Sequence, residues 1–212
     1  EPEATVRYAT EWQDVLERDY NHPAIVGWCP FNETIDRKLH YVEMNPHDER
    51  AVRLLYEMTK RYDMTRPVID SSGYTHVVTD LFDVHDYDQN PESFAERYRP
   101  LASGGEAYVR FPEVSAPYEG QPYWVSEYGG IWWDPTQLEE GGWGYGQRPS
   151  SEAEFLERYR GLTKALLDHP AMCAFCYTQL TDVEQEVNGL YTYDRKPKFD
   201  PEIIRKINTQ PA

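Results

Sequence analysis

The sequence is short of positive charge and of long apolar runs. Among its 212 residues, 21 lysines and arginines stand against 37 aspartates and glutamates, which gives a formal net charge of -16. This balance argues against nucleic acid as a partner, because a phosphate backbone is neutralised by basic side chains. It gives no reason to expect binding to an anionic membrane either. No run approaches the roughly 18 apolar residues of a transmembrane helix.

Cysteine is also scarce. The three cysteines are Cys29, Cys173 and Cys176, and an odd number in a chain of this length is not a disulfide framework. Cys173 and Cys176 have CxxC spacing, but no second CxxC or histidine pair follows them. Residues three apart in a strand point to opposite faces. We therefore expect buried, small apolar side chains here, and we predict neither a metal site nor a cofactor.

Aromatic residues, in contrast, are abundant. They make up 14% of the chain, with 17 tyrosines and 6 tryptophans. Such a composition serves either a large core or a sugar-binding cleft, because flat rings pack well in both. The length allows one domain with a substantial core.

Helical and strand patterns alternate along the chain. Alternation of amphipathic helices with nearly all-apolar strands is typical of a parallel sheet covered by helices. No glycine-rich phosphate loop follows the first strand, so a barrel is favoured over a doubly wound sheet. Helices are predicted over 3–20, from Asn45-Pro46 to Tyr62, from Asn90-Pro91, from Ser151 (with Glu154 as a capping box) and over 201–207, and strands over about 24–29, 67–70, 81–86, 122–126 and 171–177.

Two glutamates follow predicted strands. Glu33 comes just past the first strand and Glu127 just past the fourth. Because the carboxyl ends of parallel strands meet at one end of a sheet, both carboxylates are predicted to lie there. Two carboxylates facing each other across a cleft are what glycoside hydrolysis requires. A lone glutamate at a strand end is more often solvated or salt-bridged, so the pair carries this prediction.

Three segments, in order along the chain, are similar to a known family. "IVGWCPFNE" (25–33), "PYWVSEYGG" (122–130) and "CYTQLTDVEQEVNGLYTYDRKPK" (176–198) resemble glycoside hydrolase family 2, the β-galactosidase, β-glucuronidase and β-mannosidase group. The likeness covers nearly the whole chain. It implies an α/β fold that is part of a (β/α)8 TIM barrel, strands four to eight with their helices. It also implies retaining hydrolysis of terminal β-glycosidic bonds in β-galactoside-type substrates. The "TQLTDVEQEVNGL" part weighs against another family of the same barrel superfamily.

The resemblance implies a role for individual residues. Glu33 would be the general acid/base and Glu127 the nucleophile, while Asn32 would donate a hydrogen bond to the sugar 2-hydroxyl. Tyr87 is similar in position to a tyrosine that hydrogen-bonds the nucleophile. Further substrate contacts are predicted, with structural packing or hydrogen bonding as the alternative for each, at His85, Trp132, Trp133, Tyr177 and Gln179.

Five strands are fewer than a complete barrel needs. An eight-stranded barrel typically has about 250 residues, so residues 1–212 are expected to form a single, N-terminally incomplete catalytic domain. An open sheet leaves apolar surface and unpaired edges, and we expect a second copy or the N-terminal barrel half to cover them. The alternative to an enzyme is a truncated fragment that is inactive alone and only binds sugar or assembles with a partner.

Overall fold

The computed structural model describes residues 2–35, 47–134 and 141–211. In these ranges the chain alternates between helix and strand as predicted, and it folds into two compact units, Glu1–Val84 with Val109–Trp124 (unit 1) and His85–Tyr108 with Val125–Ala212 (unit 2). A single incomplete domain over 1–212 stays a prediction. The elements are α1 (Pro2–Asp19), β1 (Phe31–Asn32), α2 (Glu49–Tyr62), β2 (Ser71–Ser72), β3 (Phe82–Asp86), α3 (Pro91–Ala102), β4 (Tyr123–Gly129), α4 (Glu152–Leu167), β5 (Met172–Thr178) and α5 (Pro201–Asn208).

The first two strands lie further along the chain than predicted. Instead of 24–29 and 67–70, the paired residues are those of β1 and β2, which run parallel with Asn32 opposite Ser72. Upstream of them a single bridge joins Trp28 to Val68. Proline has no backbone N–H to give to a ladder, and Pro30 and Pro67 flank this bridge. The apolar run is not a buried strand either, since Val26 is 75% exposed.

The other three strands form a second sheet in the order β3-β4-β5. Among the described strands, these two sheets do not close into a barrel. β4 extends beyond the predicted 122–126, so Glu127 lies within the strand rather than after it. The prediction that Cys173 and Cys176 are buried was wrong, because all three cysteines, Cys29, Cys173 and Cys176, are exposed. The last two lie on β5, which has only β4 beside it in the described sheet and is covered less than β3.

Side-chain caps determine where the helices begin. The predicted start of α2 at Asn45-Pro46 lies outside the described residues, and the helix begins at Glu49 after Asp48, whose carboxylate accepts two backbone N–H groups. Asn90 caps α3 ahead of Pro91, as predicted. These caps satisfy N–H groups that have no partner within the helix.

The capping box of α4 is present in modified form. The Ser151 side chain accepts from the Glu154 N–H, but the Glu154 carboxylate accepts from the backbone N–H and the hydroxyl of Ser150. None of the helices in the described ranges is long and apolar enough to span a bilayer.

Each unit has its own core. In unit 1, Leu16, Trp28 and Val68 are buried together, with Trp12 and Ile25 packed against them. The other end of the predicted apolar face of α1 is not covered, since Val6 is 67% exposed. In unit 2 the core is largely aromatic, with Phe94, Tyr98, Tyr128, Phe155 and Tyr159 almost completely buried. Much of the aromatic content therefore serves the core.

Candidate active site

Three of the predicted site residues come together in unit 2. Glu127 lies on β4 with 26% of its side chain exposed, and Tyr87, which directly follows β3, donates its hydroxyl to Glu127 Oε2. On the other side, Nε2 of the fully buried His85 lies 3.4 Å from Glu127 Oε1. A partly exposed carboxylate is thus held between a phenol and an imidazole at the ends of neighbouring strands.

The electrostatics of this cluster keep the phenol protonated. Burial raises the pKa of Tyr87, and the charge of Glu127 together with the hydrogen bond to it raises this pKa further. Although Cys176 as a whole residue is exposed, partial burial of its thiol and then the charge of Glu127 also raise the pKa of that thiol. A neutral hydroxyl that donates to a carboxylate favours the ionised carboxylate, which is the form that a nucleophile needs.

Helix α3 fixes the position of Tyr87. Tyr98 donates its hydroxyl to Asp86 at 2.8 Å, and the guanidinium of Arg97 pairs with both Asp86 and Asp88. The two aspartates flank Tyr87 in sequence. Their charge-assisted hydrogen bonds therefore anchor the backbone on both sides of the phenol.

The turn that follows Glu127 requires glycine. Gly129 and Gly130 have φ values of 78° and 56°, a region that residues with a Cβ rarely adopt. A Cβ at Gly129 would lie 2.4 Å from the ring of Tyr177, and one at Gly130 would lie 2.4 Å from the ring of Tyr145. The predicted sharp bend is present, and aromatic rings pack directly on it.

The predicted contacts after β5 bind the protein's own loops. The Tyr177 hydroxyl accepts from the Ile131 N–H and donates to the Asn188 carbonyl, both at 3.1 Å. The Gln179 side-chain amide donates to Asn188 Oδ1 at 3.0 Å. These bonds connect the turn after β4 to the loop after β5. A part in substrate binding stays a prediction for Tyr177 and Gln179.

The two neighbouring tryptophans have different surroundings. Trp133 is only 5% exposed and packs against Phe155, with ring centroids 6.4 Å apart. Its burial is that of a core residue, which disfavours the predicted stacking on sugar. Trp132 is partly exposed, and the Arg148 guanidinium lies 5.7 Å from its ring centre. Of the pair, Trp132 is the better candidate for contact with substrate.

Glu33 and Asn32 belong to unit 1. Asn32 is exposed and pairs with Ser72 across the β1–β2 sheet, and the Glu33 N–H donates to the Ser72 carbonyl at 2.9 Å. Glu33 has a φ of 53°, which is uncommon for a residue other than glycine. Such backbone strain gathers at functional sites, although Glu184 and Arg195 share this conformation, with φ values of 50° and 61°.

The family of the chain is decided by comparison with known sequences. Residues 1–210 match the family model "Glycosyl hydrolases family 2, TIM barrel domain". The chain belongs to glycosyl hydrolase family 2. No curated protein matches it.

Solved structures are similar to this family 2 domain in fold. The β-glucuronidase of Bifidobacterium dentium has 18% identity and a TM-score of 0.66 over all of this chain and 35% of its own. A β-galacturonidase of Eisenbergiella tayi has 16% identity and a TM-score of 0.68 over all of this chain and 37% of its own. The β-glucuronidase of Bacteroides uniformis has 19% identity and a TM-score of 0.67 over 93% of this chain and 25% of its own. The chain thus spans about a third of the length of the first two.

Sequence reasoning missed a buried cation in unit 2 of the family 2 domain. The fully buried amino group of Lys198 donates to Asp182 at 2.7 Å and to the carbonyls of Trp133 and Val187 at 2.6 and 3.2 Å. Burial lowers the pKa of Lys198, and Asp182 opposes that shift. The one feature of the sequence that could have indicated this buried cation is that Lys198 ends the segment 176–198, which resembles the family. Lys198 connects the loop after β4 to the loop after β5.

A second buried cation, in unit 1, was also missed. His76 Nδ1 lies 2.7 Å from Asp70 Oδ1, and His76 Nε2 lies 2.9 Å from the Asp83 carbonyl and 3.4 Å from its carboxylate. Burial lowers the pKa of His76, but the hydrogen bond to Asp70 and the charges of Asp83 and Asp70 raise it to about 9. Asp83 also accepts from the Ser72 hydroxyl at 2.6 Å. Ser72, whose carbonyl accepts from the Glu33 N–H, is therefore hydrogen-bonded to this buried cluster.

Proposed function

We propose that this domain carries the catalytic pair of a retaining β-glycosidase, with Glu127 as the nucleophile and Glu33 as the general acid/base. The observation that carries the proposal is the environment of Glu127: a partly exposed carboxylate that accepts from the Tyr87 hydroxyl and lies 3.4 Å from His85. A nucleophilic carboxylate has to be ionised, oriented and open to substrate. These contacts support all three requirements.

The reaction has two steps. In the first, Glu33 protonates the glycosidic oxygen while a Glu127 oxygen attacks the anomeric carbon. The bond from that carbon to the leaving oxygen breaks, and the alcohol departs with the proton. In the second, ionised Glu33 takes a proton from water, which attacks the anomeric carbon and breaks the ester bond to Glu127. Each step inverts the configuration of the anomeric carbon, so the two steps together retain it. This mechanism requires the two carboxyl groups to lie about 5–5.5 Å apart.

The charge of Glu127 changes between the two steps, and this supports the double role of Glu33. While Glu127 is ionised, its negative charge near the acid would help Glu33 keep its proton. Ester formation removes that charge, so Glu33 can then act as a base. Asn32 is proposed to donate to the sugar 2-hydroxyl, an interaction that strengthens in the transition state.

We propose β-galactosides as the first substrate class to test. The similar solved proteins are named for β-glucuronides and a β-galacturonide, so these sugars belong in the same panel. A galactoside, a glucuronide and a galacturonide with one shared aryl leaving group differ only in the sugar. Their relative kcat/KM values then report recognition of the sugar alone.

Trapping of the glycosyl-enzyme tests the proposal. The chain is incubated with 2-deoxy-2-fluoro-β-glycosyl fluorides of the panel and its intact mass is measured. We expect a gain of one fluorosugar, mapped to Glu127 and absent in Glu127→Gln. Glu202→Gln is the matched control, because this carboxylate is 61% exposed on α5 and has no part in the mechanism. No labelling by any of the sugars at saturating concentration would overturn the proposal and favour a fragment that binds without turnover.

A further inference from the structure

We propose that Tyr145 is a positioning residue for the nucleophile, acting through Tyr87. The inference rests on the proposed role of Glu127. Tyr145 packs against Tyr87 with ring centroids 3.5 Å apart and an interplanar angle of 1°. Tyr87 in turn donates its hydroxyl to Glu127. The structure thus contains a chain of contacts that leads from a loop residue to the reacting carboxylate.

A stacked neighbour limits how the Tyr87 ring can move. The hydroxyl lies at the far end of the ring, so a change in either side-chain torsion swings it through a wide arc. The parallel ring of Tyr145 covers one face of Tyr87 and blocks rotation toward that side. The hydroxyl is therefore held where it meets Glu127 Oε2.

The backbone of Tyr145 is itself fixed to the turn after β4. The Tyr145 N–H donates to the Gly130 carbonyl at 2.8 Å, and Ile131 and Tyr145 form a parallel bridge. A Cβ at Gly130 would lie 2.4 Å from the Tyr145 ring and 3.1 Å from the Tyr87 ring. Both rings therefore pack on a spot that glycine alone leaves open.

A second set of bonds holds the same segment from its other side. The Trp143 N–H donates to the Gln185 carbonyl at 2.8 Å, and the Val187 N–H donates to the Trp143 carbonyl at 2.8 Å. The Val187 carbonyl accepts from the buried Lys198. Tyr145 thus lies on a segment supported by the loops that follow β4 and β5. A ring with this support can restrict its neighbour.

The consequence for the chemistry is an oriented, ionised Glu127. A hydrogen bond to the charged form lowers the pKa of a carboxyl group, and a preorganised donor costs no reorganisation during the reaction. Among the described residues of unit 2, the Tyr87 hydroxyl and the His85 imidazole lie against Glu127, and the charge of Glu127 also acts on the Cys176 thiol. Only Tyr87 is stacked on Tyr145, so loss of Tyr145 acts on Glu127 through that phenol.

The test compares Tyr145→Ala with Tyr145→Phe, which keeps the stacked face. For Tyr145→Ala we expect fluorosugar labelling of Glu127 to be roughly 10- to 100-fold slower, the scale of a misplacement of about 1 Å. The acid limb of kcat/KM should move to higher pH. Tyr145→Phe should stay close to wild type, as should Tyr193→Ala, which removes a ring that is 66% exposed. Equal loss in the Ala and Phe variants, or none in Tyr145→Ala, would overturn the inference.

A double-mutant cycle separates positioning from loss of structure. In a Tyr87→Phe background there is no hydroxyl to position, so Tyr145→Ala should slow labelling little further. A full additional loss would mean that Tyr145 does not act through Tyr87. The pKa of Glu127, measured by carboxyl-carbon NMR without substrate, should rise in Tyr145→Ala and not in Tyr145→Phe. Absence of labelling in the wild-type chain would overturn the proposed function. The titration of Glu127 would still test the role of Tyr145 in that case, because it needs no substrate.

Discussion

The two carboxylates of the proposed catalytic pair are supported in different ways. Glu127 lies in a strand of seven residues, and its side chain meets the hydroxyl of Tyr87 and the imidazole of His85. Glu33 follows a strand of two residues, and its backbone is fixed by a bond to the Ser72 carbonyl and by a left-handed φ. The proposed nucleophile is therefore fixed at its side chain, and the proposed acid/base is fixed at its backbone.

This difference fits what each proposed role requires. A nucleophile has to stay ionised and point along one direction, and side-chain donors provide both. An acid/base gives up a proton and takes it back in each cycle, so its carboxyl group has to stay at a fixed place relative to the substrate, and a fixed backbone contributes to that. Each unit also contains a buried cation: His76 in unit 1 and Lys198 in unit 2.

The largest expected effect comes from removal of the proposed acid. For Glu33→Ala we expect kcat/KM on alkyl β-glycosides to fall about 10²- to 10⁴-fold, the usual contribution of general acid–base catalysis. With a 2,4-dinitrophenyl leaving group the fall in the glycosylation step should be small, because that phenolate departs without a proton. The measurement is kcat/KM across leaving groups of decreasing pKa.

The matched comparison is Glu127→Ala, which should lose activity on all of these substrates. Azide sharpens the contrast further. In Glu33→Ala it should attack the glycosyl-enzyme and give the β-glycosyl azide, since that attack needs no base. A loss that is the same for every leaving group in Glu33→Ala would refute its role as the acid.

The next largest effect concerns the two buried cations. Loss of one partner of a buried ion pair leaves an uncompensated charge and costs about 3–5 kcal/mol. Lys198→Met leaves the Asp182 carboxylate without its cation. We expect this variant to lower the free energy of unfolding by that amount in urea titrations. His76→Gln should cost at least as much, because it leaves the two buried carboxylates of Asp70 and Asp83.

Arg205→Ala is the control for both variants. Its ion pair with Glu202 on α5 is exposed, and exposed pairs add little to stability. If Lys198→Met were no less stable than Arg205→Ala, the buried pair would not hold the loops of unit 2 together.

Features that depend on residues close together in the sequence could be predicted, whereas features that depend on distant residues could not. Asn90 and Ser151 were identified correctly as helix caps because a cap depends on residues within one turn. The first two strands were misplaced because pairing depends on a partner far along the chain, and here Pro30 and Pro67 interrupt it. Motifs that resembled a family led to Glu127 and Tyr87, whose contact the structure shows.

The buried cations could not be found in this way. Lys198 is defined by partners that include the Trp133 carbonyl, 65 positions away, and nothing near either residue in sequence indicates the contact. His76 likewise depends on Asp70 and Asp83. The role of Trp133 was uncertain because composition does not distinguish a tryptophan of the core from one that stacks on sugar.

The smallest expected effect, and the one that contrasts the two units most directly, is the dependence of stability on pH. The pKa of His76 is raised from 6.5 to about 9 in the folded chain, so its contribution is complete below about pH 6.5 and is lost as pH rises through 9. The pKa of Lys198 is lowered from 10.5 by burial. Between its folded value and 10.5 the unfolded chain binds more protons, so stability rises with pH there. Each slope is at most about 1.4 kcal/mol per pH unit.

Urea unfolding from about pH 6 to about pH 10 measures both slopes. The free-energy difference between wild type and His76→Gln should shrink as pH rises toward 9, because the histidine loses the charge that its two aspartates stabilise. The difference between wild type and Lys198→Met should instead grow toward pH 10. If the His76→Gln variant is too unstable to titrate, the pKa of His76 is measured directly by imidazole NMR of the wild type. If the free-energy difference between wild type and His76→Gln does not change with pH, or if the measured pKa of His76 is near 6.5, then His76 is not held as a cation between Asp70 and Asp83.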